Sequence, residues 1–295
     1  MKKMAIIKPY RSGWKKVWKN KKMWVLLYLL NVVFALLSAV PFLGFLSESV
    51  GHTLANSKML DGFDYTFISD LMREYGSGLS VILNLSKGII LLFFLFSIFW
   101  MGGILSILKN EENDYSFRKF WQGSAVYFWK LIRLTFYFTF FQIVILGFFA
   151  FLFLQQGVSP FEVESEVSII KSIMILLPIY LLFATIFFMI QDYAKIHIVH
   201  DETKFIFQPI KNAFRFVFKN FRKCFGLYLL NLLTFAVFFS IYWILSNSFN
   251  SNSTPTITLL FLIGQTFIFS RIAVKLLNLG SAMELFQTLK IDSST

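Results

Sequence analysis

The sequence predicts an all-α, polytopic transmembrane helical bundle: six spans in three parallel two-span repeats, each preceded by an interfacial amphipathic helix. Three observations carry that prediction. Only 15% of the residues are charged and 57% are apolar, 39 of them phenylalanine; an ordinary soluble domain carries about 25% charged residues. The apolar residues gather into six stretches of bilayer length. The basic residues gather in every second connection between those stretches.

A spanning helix needs about 20 mostly apolar residues to cross a hydrocarbon layer about 30 Å thick. Residues 24–46, 88–108, 134–154, 172–191 and 224–247 meet that requirement with no charge inside them. The sixth stretch, 256–279, carries Arg271 and Lys275 near its end. The stretches are apolar all round, unlike helices of soluble bundles, which show a polar stripe. They also lack the alternation of a β-barrel strand. The first apolar run has 23 residues, longer than the roughly 7–15 of a cleavable signal sequence, and reads as an uncleaved anchor.

Of the 28 lysines and arginines, 24 precede the first stretch, join the second to the third or the fourth to the fifth, or lie at the end of the last. The excess of positive charge on cytoplasmic loops places both termini in the cytoplasm. The opposite connections are acidic, with Asp61, Asp64, Asp70 and Glu74 in the first and Glu162, Glu164 and Glu166 in the second. A short helix is expected near residues 68–75, and Ser159-Pro160-Phe161-Glu162 has the form of a helix-starting capping box.

One unit of about two spans recurs. Residues 17–31 and 217–231 share eight of fifteen positions without a gap, including Lys19-Asn20 with Lys219-Asn220 and Tyr28-Leu29-Leu30-Asn31 with Tyr228-Leu229-Leu230-Asn231. A middle copy carries Phe128-Trp129-Lys130 before its span. The repeat units run over 8–108, 116–199 and 206–279 within one integral membrane domain, 1–295. Mitochondrial carriers share the count of three, but their Pro-x-Asp/Glu-x-x-Lys/Arg signature is absent after spans one, three and five.

Each unit opens with aromatic residues spaced three and four apart among cations, the signature of one apolar helical face. Trp14 and Trp18, Phe120 and Trp121, and Phe214 and Phe218 are expected to sink toward the acyl chains. Lys15, Lys19, Lys211, Arg215 and Lys219 are expected to meet anionic headgroups of the cytoplasmic leaflet. Membrane lipids are thus the expected partners. The basic charge is distributed as topology requires, which argues against nucleic acid.

These basic-aromatic elbows, with Asp192-Tyr193-Ala194-Lys195 closing span four and Asn212-Ala213-Phe214-Arg215 in the third elbow, resemble poorly characterised bacterial six-span membrane proteins. They are similar to the membrane domain fused to some glycerophosphodiester phosphodiesterases. The resemblance implies a bacterial cytoplasmic (inner) membrane location and no catalytic residues, and the phosphodiesterase activity is not expected to carry over.

Candidate polar contacts follow from cost. A charge at membrane depth costs about 2.5–3.5 kcal/mol, so Asp192 and Arg271, at the ends of spans four and six, are a candidate interhelical ion pair. Asn31, Gln142, Asn231 and Gln265 are uncharged polar residues inside spans; interhelical hydrogen bonds are their expected role, with a polar cavity as the functional alternative. Gly102 and Gly103 permit close helix contact, Pro178 removes a backbone donor from span four, and Cys224 reads as a structural thiol. His197 and His200, beside Asp201 and Glu202, have a spacing that suits a metal but specify no third ligand. They are expected in a solvated segment following span four. No phosphate loop, zinc-protease or nucleophile-elbow motif occurs, and no cofactor is implied.

The expected function is therefore non-enzymatic: an inner-membrane protein supporting membrane, envelope or lipid homeostasis, or a membrane complex. The alternative is a transporter or permease-like component with a substrate site at the repeat interface.

Overall fold

Once water is withdrawn, a backbone can satisfy its polar groups only within a helix or a closed barrel, and every long apolar run of this chain is helical. The structure, a computed structural model, describes residues 4–49, 65–109, 115–155, 166–201, 205–249 and 253–291. Among these it contains eight helices and no strand: α1 (Met4–Lys19), α2 (Lys21–Ser49), α3 (Tyr65–Lys109), α4 (Phe117–Leu154), α5 (Glu166–Asp201), α6 (Phe207–Lys219), α7 (Phe221–Asn247) and α8 (Thr254–Ile291). Six of them, α2, α3, α4, α5, α7 and α8, contain segments long and apolar enough to cross a bilayer. In the most apolar windows of α2 and α4 only 6% of residues are buried within the protein. Such a surface demands an apolar solvent; the chain is a multi-pass membrane protein.

The equivalent positions Asn20 and Asn220 each form the single break between a short helix and a span. Asn220 has φ −116° and ψ 28°, outside the helical region. Its backbone N–H and its side-chain amide both donate to the Phe216 carbonyl, at 3.0 and 3.2 Å. Its own carbonyl accepts from Lys223 and Cys224, and the Asn20 carbonyl likewise accepts from Met23 and Trp24. Asparagine suits this place because its side chain competes for the backbone bonds that would continue the helix.

The middle elbow departs from expectation. α4 runs unbroken from Phe117 to Leu154, with no separate interfacial helix. In the register that aligns Trp18-Lys19 with Trp129-Lys130, Leu131 stands where the other copies have Asn20 and Asn220. Leucine favours a helix and offers the backbone no competing group, so the helix continues.

In α3 the backbone leaves helical geometry only at Tyr75 (φ −119°, ψ 22°), so the short helix expected near 68–75 is the first arm of a kinked α3. α5 continues through Pro178. The capping box at Ser159, and Asp61, Asp64, Glu162, Glu164 and Glu202, lie outside the described residues.

The chain divides into two compact units: Met1–Lys16, Ile98–Asn231 and Leu277–Thr295, and Val17–Ser97 with Leu232–Leu276. The first is built on the end of α8, where Leu277, Met283, Leu285 and Phe286 are at most 2% exposed. The helix runs on past Leu279, where the sixth apolar stretch ends, to Ile291, and this extension is a core element. In the same unit Gly102 and Gly103 of α3 lie directly on Gly123 and Ser124 of α4, as their small size predicts. In the second unit the Trp24 ring stacks 4.1 Å from that of Phe269, and its indole N–H donates to the Phe269 carbonyl at 2.8 Å.

Candidate functional site

Among the described residues the first unit holds most of the buried polar side chains, and α8 organises them. Along the end of this helix every third residue is polar: Asn278, Ser281, Glu284, Gln287 and Lys290. A helix turns about 100° per residue, so a step of three falls back by about 60°. The five side chains therefore wind around the helix, and between them they reach α1, α3, α5 and α7.

Asn278 donates to the Asp192 carboxylate of α5 (3.1 Å) and accepts from Asn231 of α7 (3.0 Å). The Asn231 amide also donates to the Ser281 hydroxyl (3.1 Å). Beside Ser281 a side chain at Gly13 of α1 would be only 2.9 Å from its Cβ, so the two helices touch at backbone distance. Glu284 forms an ion pair with Lys16 of α1 at 2.8 Å, the two side chains 15% and 10% exposed. Gln287 donates to the Lys109 carbonyl at the end of α3 (3.1 Å). Lys290 returns to α5, pairing with Asp201 at 2.8 Å.

Two sequence expectations are corrected here. The Asp192 carboxylate, assigned to Arg271, is held by Lys195 one turn further along α5 (2.9 Å) and by Asn278; Arg271 is exposed. A partner within one helical turn and a neutral amide satisfy this carboxylate. His197 and His200 do not lie in a solvated segment either, because α5 extends to Asp201. His197 is 7% exposed, and its Nδ1 lies 2.8 Å from Asp201 Oδ2, while His200 Nδ1 lies 3.0 Å from Oδ1. One carboxylate thus gathers two imidazoles and the Lys290 ammonium, and Phe286 packs its ring 4.6 Å from that of His197.

The four span amides fare differently. Asn231 is 4% exposed within the network described. Asn31, its repeat equivalent, is half-buried and, among the described residues, donates only to the Leu27 carbonyl of its own helix (2.7 Å). Gln265 accepts from the Tyr28 hydroxyl (2.9 Å). Gln142 is half-buried, with no hydrogen bond found among the described residues; in the register above it stands in the place of Asn31 and Asn231.

Of the expected lipid-facing residues, Trp18, Phe214 and Phe218 are exposed, as are Lys15, Lys19, Lys211, Arg215 and Lys219. Trp14 and Trp121 are half-buried. Phe120 is corrected: it is fully buried, because α4 lies so close on Gly103 that the ring fills the space a side chain there would take. The same crossing seats Trp121 between Phe117 and Phe99. The buried stripe of α6 is Pro209, Ala213 and Val217, four apart; Phe207, Phe214 and Phe218 are exposed, while Phe216 packs on Tyr193 and Phe286. Cys224 is a buried free thiol at the start of α7.

The residues missed by sequence reasoning are those of the α8 spiral and their partners Lys16, Lys109 and Gly13. The signal was present as polar residues at every third position, a period that matches neither an amphipathic stripe nor a solvated tail. No family model, characterised protein or solved structure matches this chain.

Proposed function

We propose that this membrane protein acts without catalysis in a bacterial inner membrane, with both termini cytoplasmic, supporting lipid or envelope homeostasis through its basic-aromatic elbows. The reading is supported chiefly by where polar groups are spent. Inside the first unit Asp192, Asn231, Asn278, Ser281 and Asp201 bond to one another or to neighbouring cations. Meanwhile Lys15, Lys211, Arg215 and Lys219 point outward beside the exposed Trp18, Phe214 and Phe218. Cations flanking exposed aromatics suit an anionic leaflet, at about 1 kcal/mol for each basic side chain near the surface.

The transporter alternative calls for Asn31, Gln142 and Asn231 to line a water-filled cavity. Asn231 instead makes its amide bonds within packed protein. The test is genetic. Cells lacking the chain should change phospholipid composition and become more sensitive to detergents. The full chain should restore both, and a variant with Lys15, Lys211, Arg215 and Lys219 replaced by Gln should not. Unchanged lipids and resistance in the deletion strain would overturn the reading.

A further inference from the structure

The first unit carries an apolar cleft of about 290 Å³ between α4, α5 and α6. Its walls include Tyr137 and Phe141 of α4, Phe187 of α5, and Phe207, Ile210 and Phe214 of α6. No polar atom contributes to its surface. The volume is near the lower limit of small-ligand clefts, about 300 Å³: room for part of one acyl chain and too little for a whole phospholipid. The rings of Tyr137 and Phe207, both in its walls, meet at 5.3 Å.

Cations stand close in sequence to the lining residues. On α4, Lys130 and Arg133 precede Tyr137 and Phe141 at spacings of three and four, which places all four on one helical face. On α6, Lys211 stands one turn after Phe207 and one turn before Phe214. Among the described residues no acidic side chain pairs with Lys130, Arg133 or Lys211. They contrast with Lys16, Lys195 and Lys290, whose charges are met by carboxylates. Along α4 the order Lys130, Arg133, Tyr137, Phe141 runs from cation to aromatic wall, and residues 134–154 begin the apolar span. That order matches a phospholipid read from phosphate to tail.

We infer that this cleft binds one anionic glycerophospholipid, an acyl chain lying against the aromatic walls and the phosphate against Arg133 and Lys211, with Lys130 behind them. The inference rests on the lipid-facing reading above and deepens it by giving the lipid a specific seat.

The test uses the full chain reconstituted in vesicles of equal phosphatidylglycerol and phosphatidylcholine, then extracted into mild detergent and weighed by native mass spectrometry. One phosphatidylglycerol per chain should remain, enriched about tenfold over phosphatidylcholine. Arg133→Gln and Lys211→Gln should each cut that preference about fivefold and leave phosphatidylcholine retention unchanged. Ile210→Trp, which fills the cleft, should abolish retention. Phe207 is 68% exposed, so Phe207→Gln removes one wall without entering the core and should lower retention even if the tryptophan variant fails to fold. Retention of both lipids in their bulk proportion, or of any apolar molecule without regard to headgroup, would overturn the inference, as would a Phe207→Gln protein that keeps its phosphatidylglycerol. Failure here with a deletion phenotype intact removes the cleft and leaves the broader reading. Selective retention with no deletion phenotype does the reverse.

Discussion

The close contact between α3 and α4 sets the size of one effect. A methyl group added at Gly123 would lie 2.4 Å from Ser106 Cβ and 2.7 Å from its Oγ, while the next nearest atom, the Gly102 carbonyl oxygen, is at an ordinary 3.4 Å. The obstruction is therefore one side chain. Gly123→Ala should cost about 1–3 kcal/mol, the usual range for overpacking. Ser106→Gly removes both obstructing atoms. In that background the same Gly123→Ala change should be neutral or stabilising by about 0.5–1 kcal/mol, since alanine suits a helix interior better than glycine. The coupling between the two positions is then about 2 kcal/mol, within the range for residues in direct contact. The control is Gly147 of the same helix, with nothing within 4 Å of its added Cβ, where alanine should do no harm in either background. The assay is a double-mutant cycle of reversible unfolding in mild detergent with rising denaturing detergent, followed by loss of helical circular dichroism. If Gly123→Ala costs the same with and without the Ser106 side chain, α3 and α4 do not cross at these residues, and the account of Phe120 as a core residue fails with it.

Three further outcomes follow from the first unit. Lys16→Met breaks the largely buried ion pair with Glu284, so it should destabilise by about 3 kcal/mol; Lys16→Met with Glu284→Leu should recover most of that loss in the same unfolding assay. Asn231→Ala removes two interhelical bonds and should cost about 1 kcal/mol, whereas Asn31→Ala, which removes a bond within its own helix, should stay within about 0.3 kcal/mol; equal costs would refute the distinction. Ending the chain after Gly280 deletes Met283, Leu285 and Phe286, all at most 2% exposed. Losing each such core side chain costs about 2–5 kcal/mol, so the truncated protein should fail to accumulate in membrane fractions on immunoblots, where removal of a mere tail would change nothing.

Much of the architecture was legible in the residues because it depends on local runs. A helix crosses hydrocarbon by length and apolarity alone, so six uncharged or nearly uncharged stretches announced six spanning helices. The arm before Tyr75 and the contact at Gly102 and Gly103 were equally local. Even the missing elbow of α4 has a one-residue cause, Leu131 in place of asparagine, that a closer alignment of the copies exposes.

What only the tertiary structure decided was which side of each helix faces protein and which polar groups find one another. In an apolar chain, lipid-facing and helix-facing surfaces are both hydrophobic, so hydropathy does not separate them. Phe120 and Phe218 look alike in sequence, yet one is buried and the other exposed. Asn31 and Asn231 hold equivalent places, yet only Asn231 meets an α8 carrying Asn278 and Ser281. Asp192 could be marked as needing a partner from its cost alone, but the choice of Lys195 and Asn278 over Arg271 depended on which side chains stood within 3.1 Å. Burial cost is a property of a residue; satisfaction is a property of its neighbours, and those are set by packing.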